Sequence, residues 1–168
     1  MTRRSSVLFV CLGNICRSPL AEGIFLSLLQ AEGLENRIQV DSAGTGGWHV
    51  GEAPDPRSRA VAQQNGIELT SRARQVAPQD FARFQWVIAM DRENRNELGN
   101  VQTVQGGPAR LHLLLEFHPE APDVTGASGG VDVPDPYYGG PDGFQTVQRL
   151  VQEGCEGLLK AVRAELRS

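Results

Sequence analysis

Near its start, the chain carries a cysteine and an arginine separated by five residues, and this spacing lies between a strand pattern and a helix pattern. Residues 7–10 are apolar, which suits a short buried strand, while the serine and proline at 18–19 are a typical helix start. The loop between them, residues 11–18, has the sequence C-L-G-N-I-C-R-S. A loop in this position directs backbone N–H groups and the positive end of the helix dipole toward its centre. The chain is therefore expected to fold around a phosphate-binding loop.

The residue types inside this phosphate loop indicate chemistry as well as binding. The planar guanidinium of Arg17 can bind two phosphoryl oxygens at once. Positive potential stabilises a thiolate, so Cys11 is predicted to attack phosphorus, and Ser18 is placed to hydrogen-bond its sulfur. Gly13 gives the backbone freedom, and Asn14 tolerates a positive φ. By position alone Cys11 would be an ordinary buried residue, but the arginine and the turn residues favour a nucleophile.

Size, charge and cysteine usage limit the other possibilities. At 168 residues the chain has the size of one domain, so a single domain over residues 1–168 is expected. A formal charge of −4 and a pI near 5.4 argue against a nucleic-acid-binding protein. The three cysteines, Cys11, Cys16 and Cys155, lack metal-ligand spacing and suit a reducing compartment. No apolar segment approaches the ~20 residues that span a membrane, so a cytoplasmic protein without membrane contact is expected.

Short apolar segments alternate with helical patterns, which predicts an α/β fold with a parallel sheet. The predicted strands are residues 7–10, 38–40, 86–89 and 111–115. The predicted helices are residues 18–31 with Ser18 as cap, residues 57–65, a short helix from an Asp91 cap to Gly99, and the chain from Phe144 onward. Cys155 lies on the apolar stripe of the last helix and is predicted to be a core residue. Residues 117–134 are the longest irregular stretch, and a loop of that length is usually functional or disordered.

Hydrolysis of a phosphomonoester also requires an acid that protonates the departing oxygen. The candidate is Asp135, in the segment D-P-Y-Y-G-G that precedes the last helix. The following proline restrains its neighbourhood, and Tyr137 and Tyr138 offer flat apolar walls for a substrate. An ordinary Asp-Pro turn is the alternative interpretation, and the phosphate loop favours catalysis over it.

Together these motifs resemble the low-molecular-weight protein tyrosine phosphatase family over nearly the whole chain. The matching segments are residues 10–19, 40–51, 73–75, 89–91 and 135–140. The resemblance implies a single-domain three-layer α/β sandwich, with a four-stranded parallel sheet flanked by helices in a phosphotyrosine-phosphatase-I-like, flavodoxin-like topology. It also implies Cys11 as the nucleophile, Arg17 as the phosphate ligand and Asp135 as the general acid and base.

The resemblance assigns supporting and binding roles to further residues. Asn14 and Ser42 are implied to hold the phosphate loop in shape by hydrogen bonds, next to the predicted contact of Ser18 with the nucleophile. Trp48 matches an aromatic position on the pocket rim, facing the two tyrosines. The implied substrate-binding residues are Leu12, Gly13, Asn14, Ile15, Cys16, Arg17, Trp48, Tyr137 and Tyr138.

Two departures from the family pattern bear on the site. Ser71 stands where some members have a histidine in the supporting network, so loop support is expected to differ in detail. The loop at residues 117–134 is several residues longer than in compact members. Because it precedes Asp135, it is a candidate for altering substrate access or the mobility of that residue.

The expected reaction is hydrolysis of phosphotyrosine and small aryl phosphomonoesters through a phosphocysteine on Cys11. No cofactor and no metal are expected, because the histidines lack metal-ligand spacing. The apolar Ile15 and the aromatic residues favour an aromatic substrate. The expected partners are phosphotyrosine-containing proteins and a tyrosine-kinase system, and the protein is expected to be a monomer.

Three alternatives share parts of this pattern. Protein-arginine phosphatases resemble the chain but carry threonine at the position of Ile15. Thioredoxin-coupled arsenate reductases use further cysteines near residues 80–90, and no cysteine lies between Cys16 and Cys155. A phosphate-binding, redox-sensing module without turnover would not require Asp135.

Cys16, the second cysteine of the phosphate loop, is a candidate redox partner. It lies five residues from Cys11, so oxidation could join the two in a protective disulfide. Simple packing within the loop is the alternative role.

Overall fold

Four parallel strands form one sheet in the order β2–β1–β3–β4. The structure, a computed structural model, describes residues 4–120, 132–137, 139–140 and 142–167. The strands are β1 (Ser5–Cys11), β2 (Ile38–Gly44), β3 (Trp86–Ala89) and β4 (Arg110–Leu113). This strand order is flavodoxin-like, and the predicted fold class is confirmed.

Helices cover both faces of this sheet. In the described part of the chain they are α1 (Arg17–Ala31), α2 (Pro56–Gln64), α3 (Asp80–Arg83), α4 (Arg92–Gln105) and α5 (Asp142–Arg167). A 3₁₀ turn, Leu114–Phe117, follows β4. None of the helices formed by these described residues is long and apolar enough to cross a membrane.

Strand β1 is buried along its whole length because both faces of the sheet are covered. Its side chains alternate between two cores, as the pleat of a strand requires. Val7 and Phe9 pack into the core that contains α1 and α5, whereas Leu8 and Val10 pack into the core that contains α3 and α4. The sandwich therefore fixes the strand whose last residue is Cys11.

The start of α1 differs from the predicted one. Ser18 lies inside the first turn, and the cap position is Cys16, whose side chain makes no capping hydrogen bond. The Ser18 hydroxyl is instead used by Cys11 and Asn14 of the phosphate loop. The predicted stop is confirmed, since Gly33 has a φ of 70° just beyond the helix.

Two predicted strand ends were wrong. Strand β2 continues past residue 40 to Gly44, because its register with β1 runs on until Gly44 pairs with Cys11. Strand β4 ends at Leu113 and not at residue 115, because the chain turns there into the buried 3₁₀ turn.

Some predicted helix boundaries agree with the structure, and others do not. Helix α4 has the predicted Asp91 cap but does not end at Gly99, since one glycine inside a helix costs only about 1 kcal/mol. It ends where Gly106 takes a φ of 74°. Helix α5 begins at Asp142, slightly before the predicted start, and buries Cys155 completely, as predicted. Burial raises the pKa of the Cys155 thiol, which keeps it protonated in the core.

The carboxyl ends of the strands bring the candidate residues to one edge of the sheet. Cys11 ends β1, and Asp91 follows shortly after β3. Residues 132–137, called the acid segment below, reach the same edge, where the Val133 N–H donates to the Met90 carbonyl at 2.8 Å. In open parallel sheets, ligands bind at this edge where the strand order reverses, here between β1 and β3.

Candidate active site

Four carbonyl groups of the phosphate loop accept hydrogen bonds from outside the loop. The accepting carbonyls belong to Cys11, Leu12, Ile15 and Cys16. The donors, in the same order, are the N–H groups of Thr45, Gly46 and Asp55 and the hydroxyl of Ser58, at 2.9, 2.9, 2.8 and 2.9 Å. Because the N–H and C=O of a trans peptide point in opposite directions, the N–H groups that follow these carbonyls face the centre of the loop. The loop is thus an anion cradle of the kind found at helix N-termini.

The sharp turn of the loop falls on Asn14. Among the described residues, it is the one non-glycine residue with a positive φ, 58°. Two glycines allow close packing around the turn. A Cβ on Gly44 would lie 2.8 Å from the Leu12 carbonyl oxygen, and one on Gly13 would lie 3.0 Å from the His49 ring. The end of β2 and the rim of the site can therefore approach the loop backbone directly.

Cys11 lies at the floor of the cradle and is 2% exposed. Its sulfur is 3.0 Å from the Ser18 hydroxyl oxygen, and Asn14 Nδ2 donates to that same oxygen at 2.8 Å. A thiolate has no proton to donate, so Ser18 is the donor whenever Cys11 is ionised. The Ser18 hydroxyl can therefore stabilise a thiolate before a reaction, and again when the sulfur leaves as a thiolate.

The Asn14 side chain connects the phosphate loop to β2 and to the segment that contains Arg74. Its Nδ2 also donates to Ser42 Oγ at 3.0 Å, and its Oδ1 accepts from the Arg74 N–H at 3.0 Å. Asn14 is 2% exposed, and it is not among the residues that line the cavity described below. Its implied contact with substrate stays a prediction.

The support network extends to Glu22, which the sequence reasoning missed. Ser42 donates to Glu22 Oε1 at 2.6 Å, and burial raises the pKa of Glu22 although this hydrogen bond opposes the rise. A signal for Glu22 existed, because it lies four residues after Ser18 on α1 and therefore on the same helix face. Ser71 and Glu22 line the same small hollow, and the hydrogen bond to Asn14 Oδ1 comes from the backbone of Arg74.

Arg17 is almost completely buried and has two fixed partners. Its Nη1 donates to Asp91 Oδ2 at 2.6 Å and to the Val133 carbonyl at 2.9 Å. Burial by itself would lower the pKa of Arg17, but the charge of Cys11 and the hydrogen bond with Asp91 raise it, so the guanidinium stays charged. Asp91 was predicted only as a helix cap. It performs that role with Oδ1, which accepts from the Asn94 N–H at 2.7 Å, and holds Arg17 with Oδ2.

Asp135 enters the site on the acid segment. Its Oδ2 lies 3.5 Å from Arg17 Nη2, and its Oδ1 accepts from the Tyr137 N–H at 3.1 Å. The side chain is 38% exposed, so it can exchange protons with solvent or with a bound ester. Cys11 and Asp135 line the same cavity, which brings the candidate nucleophile and the candidate acid to one space.

That cavity has a volume of about 440 Å³, within the range of small-molecule sites. Its described lining residues are Cys11, Leu12, Gly13, Ile15, Cys16, Arg17, Trp48, His49, Asp135 and Tyr137. At the rim, Trp48 is 71% exposed and its ring lies against Gly46, where a side chain would clash with it. His49, which was given no role from the sequence, also lines the cavity. Its ring centroid is 6.3 Å from that of Tyr137, and its Nδ1 is 3.0 Å from Glu52 Oε2. The rim is thus aromatic and exposed.

The second cysteine of the loop, Cys16, also lies in a buried setting. Burial, reinforced by Asp55, raises the pKa of Cys16 to about 12, so it is a neutral thiol near pH 7. Both Cys11 and Cys16 are free cysteines, and both line the cavity.

Two sequence-based predictions fall outside the described residues. Tyr138 is one of them, so its implied place on the rim stays a prediction. Most of the long loop, residues 121–131, is the other. Across the ranges that are described, no group of three or more His, Cys, Asp or Glu residues could hold a metal ion.

Comparison with known proteins adds independent findings. A sequence model of the low molecular weight phosphotyrosine protein phosphatase family matches residues 6–168. A low molecular weight protein-tyrosine-phosphatase of Streptomyces coelicolor is 42% identical over 160 residues, which cover 95% of this chain and 94% of that protein.

Solved structures agree with this match. The crystal structure of YfkJ from Bacillus subtilis has a TM-score of 0.85 and 42% identity, covering 96% of each chain. The crystal structure of DARP, described as drosophila arginine phosphatase, also has a TM-score of 0.85, at 32% identity, covering 96% of this chain and 98% of that one.

Proposed function

Because the chain belongs to the low-molecular-weight phosphotyrosine protein phosphatase family, and is thus a protein tyrosine phosphatase, we propose that it hydrolyses phosphotyrosine and small aryl phosphomonoesters through a phosphocysteine on Cys11. One observation carries the proposal. A buried thiol, a buried and fixed arginine and a partly exposed carboxyl group, those of Cys11, Arg17 and Asp135, line a single cavity above an anion cradle.

In the first step, the Cys11 thiolate attacks phosphorus in line with the ester oxygen. The S–P bond forms as the P–O bond breaks, and Asp135 gives its proton to the departing phenolate oxygen. Arg17 and the inward N–H groups bind the remaining phosphoryl oxygens, whose charge changes most in the transition state.

In the second step, the phosphocysteine is hydrolysed. Asp135, now a carboxylate, takes a proton from a water molecule whose oxygen attacks phosphorus as the S–P bond breaks. The sulfur leaves as a thiolate next to the Ser18 hydroxyl, 3.0 Å away, and inorganic phosphate is released.

The walls of the cavity support an aromatic substrate. Ile15 contributes an apolar wall within the loop, and the exposed rings of Trp48 and Tyr137 stand above it. A phenyl phosphate can keep its ring between these groups while its phosphate reaches Cys11. The short side chain of phosphoserine has no ring to bury there.

We expect kcat/KM for a phosphotyrosine peptide to exceed that for a matched phosphoserine peptide by at least about 10-fold. Trp48→Ala should reduce this ratio while leaving inhibition by inorganic phosphate unchanged, because the ring contacts the substrate and not the phosphate. Val104→Ala is the matched control, since Val104 is 80% exposed on α4, away from the cavity. Equal rates on the two peptides would contradict the preference.

A protein-arginine phosphatase is the second candidate, favoured by the similarity to DARP. Ile15 argues against it, since its apolar side chain offers no hydrogen bond to a guanidinium. Phosphoarginine in the same assay separates the two activities. An arsenate reductase would use cysteines that the chain lacks between Cys16 and Cys155, and a binding module would show no turnover.

We also propose that Cys16 protects Cys11 against oxidation. Peroxide would oxidise Cys11 to a sulfenic acid, and the Cys16 sulfur would then displace water to form a disulfide. Because the pKa of Cys16 is raised to about 12, this closure should be slow near pH 7 and faster at higher pH.

Peroxide inactivation should accordingly be reversed by dithiothreitol in the wild type and much less in Cys16→Ser. The measurement is phosphatase activity after a peroxide pulse and a variable delay before reduction. Equal recovery of both proteins after long delays would count against the disulfide.

Phosphotyrosine-containing proteins are the proposed substrates, supplied by a tyrosine-kinase system. The protein is proposed to act as a monomeric single domain over residues 1–168. Its three free thiols suit the reducing cytoplasm.

A further inference from the structure

Asp135 does little to fix its own position. One carboxylate oxygen is bonded to the Tyr137 N–H within the same segment, and the other lies 3.5 Å from Arg17. The side chain is 38% exposed. Its place over the phosphate loop therefore depends on how the acid segment is attached to the rest of the protein.

The acid segment is attached at its first half by the strand edge and α4. Val133 bonds to the Met90 carbonyl through its N–H and accepts from Arg17 through its carbonyl. Asp132 accepts from the side chain of Arg92 with both oxygens, at 3.1 to 3.3 Å, and from the Arg92 N–H at 2.9 Å. These contacts precede Asp135 in the chain.

On the other side of Asp135, the acid segment is contacted by Arg57. Its Nη1 donates to the Tyr137 carbonyl at 3.2 Å. Its guanidinium carbon lies 5.5 Å from the centre of the Tyr137 ring and 4.6 Å from that of Phe144 at the start of α5. Arg57 thus contacts the acid segment through both a hydrogen bond and a ring face.

Arg57 is itself held in a fixed geometry. Its Nε donates to Asp55 Oδ1 at 3.0 Å and its Nη2 to Asp55 Oδ2 at 2.9 Å, which is a two-point contact between planar groups. Asp55 is 8% exposed and also caps α2 by accepting from the Arg57 N–H at 2.8 Å. The guanidinium therefore has little freedom to rotate away from the acid segment.

The same end of α2 is bonded to the phosphate loop. The Asp55 N–H donates to the Ile15 carbonyl at 2.8 Å, and the Ser58 hydroxyl donates to the Cys16 carbonyl at 2.9 Å. A short, continuous path of contacts thus runs from the loop that carries the nucleophile, through Asp55 and Arg57, to the segment that carries the acid.

From this path we infer that Arg57 is a positioning residue, which holds the acid segment so that Asp135 stays over the phosphate loop; the inference rests on the function proposed above. Arg57 acts through Asp135 and has no contact of its own with phosphorus. Its removal should therefore matter most where the reaction needs an acid, that is, for esters with a poor leaving group.

The test compares kcat/KM for phenyl phosphate, whose leaving group needs a proton, with that for p-nitrophenyl phosphate, whose leaving group hardly does. Arg57→Met should lower the first value by about 10- to 100-fold and leave the second within about twofold, because a misplaced acid impairs only the assisted reaction. Arg57→Lys, which keeps the charge but not the planar fork, should show the same pattern with a smaller loss.

Arg110→Met is a matched control. Arg110 also pairs with a carboxylate, Glu165 at 2.6 Å, and also lies over a ring, that of Trp86 at 4.0 Å, with 44% exposure against 46% for Arg57. It lies at the start of β4, at the opposite edge of the sheet from the site. Its loss should leave the ratio of the two substrates unchanged.

The decisive comparison is the effect of Arg57→Met in a protein that already carries Asp135→Asn. If Arg57 acts through Asp135, adding Arg57→Met to Asp135→Asn should cause no further loss on phenyl phosphate. An equal loss on both substrates, or a full additional loss in the double variant, would overturn the positioning role. If Asp135→Asn alone fails to distinguish the substrates, the proposed acid is wrong instead. Should Arg57→Met not fold, as judged by thermal unfolding, the Arg57→Lys ratio decides the question.

Discussion

Replacement of Cys11 by serine is expected to abolish turnover, with kcat on p-nitrophenyl phosphate falling by about 10⁴-fold or more. The reaction proposed here passes through an S–P bond, and a serine hydroxyl near neutral pH is a far weaker nucleophile than a thiolate. The loss should be the same for aryl and alkyl esters, because it removes the covalent route itself. Rapid acid quenching should trap a phosphoprotein with the wild type and none with Cys11→Ser.

Binding should survive this substitution. The anion cradle, Arg17 and the outward-bonded carbonyls remain, and serine can still bond to Ser18. Cys11→Ser should therefore bind a phosphotyrosine peptide with an affinity close to the KM of the wild type, measured by calorimetry. The control is Cys155→Ser, which changes a buried thiol on α5 far from the cavity and should lower stability while keeping turnover. More than about 1% of wild-type turnover in Cys11→Ser would contradict a phosphocysteine mechanism.

The features that could be predicted from the sequence are local ones. The phosphate loop is a continuous run of eight residues between a strand and a helix, so its turn residue, Asn14, and its proposed nucleophile can be picked out without knowing the rest of the fold. Helix stops were predictable at Gly33, where a positive φ is needed, and not at Gly99, where the helix continues through a glycine. The sequence alone does not distinguish these two uses of glycine.

What could not be predicted depends on contacts between distant segments. Asp91 looks like a helix cap in the sequence, and its second oxygen finds Arg17 only because β3 lies beside β1. Arg57 follows an Asp-Pro pair that predicts no more than a helix start, yet it reaches Tyr137, 80 residues later in the chain. For Ser18, the predicted contact with the Cys11 sulfur is present, and the predicted cap is not, because the same hydroxyl cannot serve the helix end while it is engaged with the phosphate loop.

These contacts give a physical reason for the proposed acid to lie on a separate segment. Cys11 and Arg17 are almost completely buried, and an extra carboxylate buried beside them would be costly to desolvate. Asp135 is instead partly exposed and is brought to the cavity by neighbouring groups. A carboxyl group in this position can change protonation between the two steps without disturbing the cradle.

Asp135→Asn should therefore show a large loss that depends on the leaving group. Asparagine keeps the shape and can still accept from the Tyr137 N–H, but it has no carboxyl proton to transfer. We expect kcat/KM for a phosphotyrosine peptide to fall by about 10²- to 10⁴-fold, while that for p-nitrophenyl phosphate falls by no more than about 10-fold.

The second step should slow as well, because the same group is the base for water. With p-nitrophenyl phosphate, Asp135→Asn should then release a rapid burst of nitrophenolate equal to the enzyme concentration, followed by slow turnover as the phosphocysteine accumulates. Glu156→Gln is the control, since Glu156 is exposed on α5 and does not line the cavity. If both substrates slowed equally and no burst appeared, Asp135 would act only through its charge beside Arg17. A large loss with the phosphotyrosine peptide, together with a burst with p-nitrophenyl phosphate, would assign two proton transfers to Asp135. These are the proton given to the leaving group in the first step and the proton taken from water in the second.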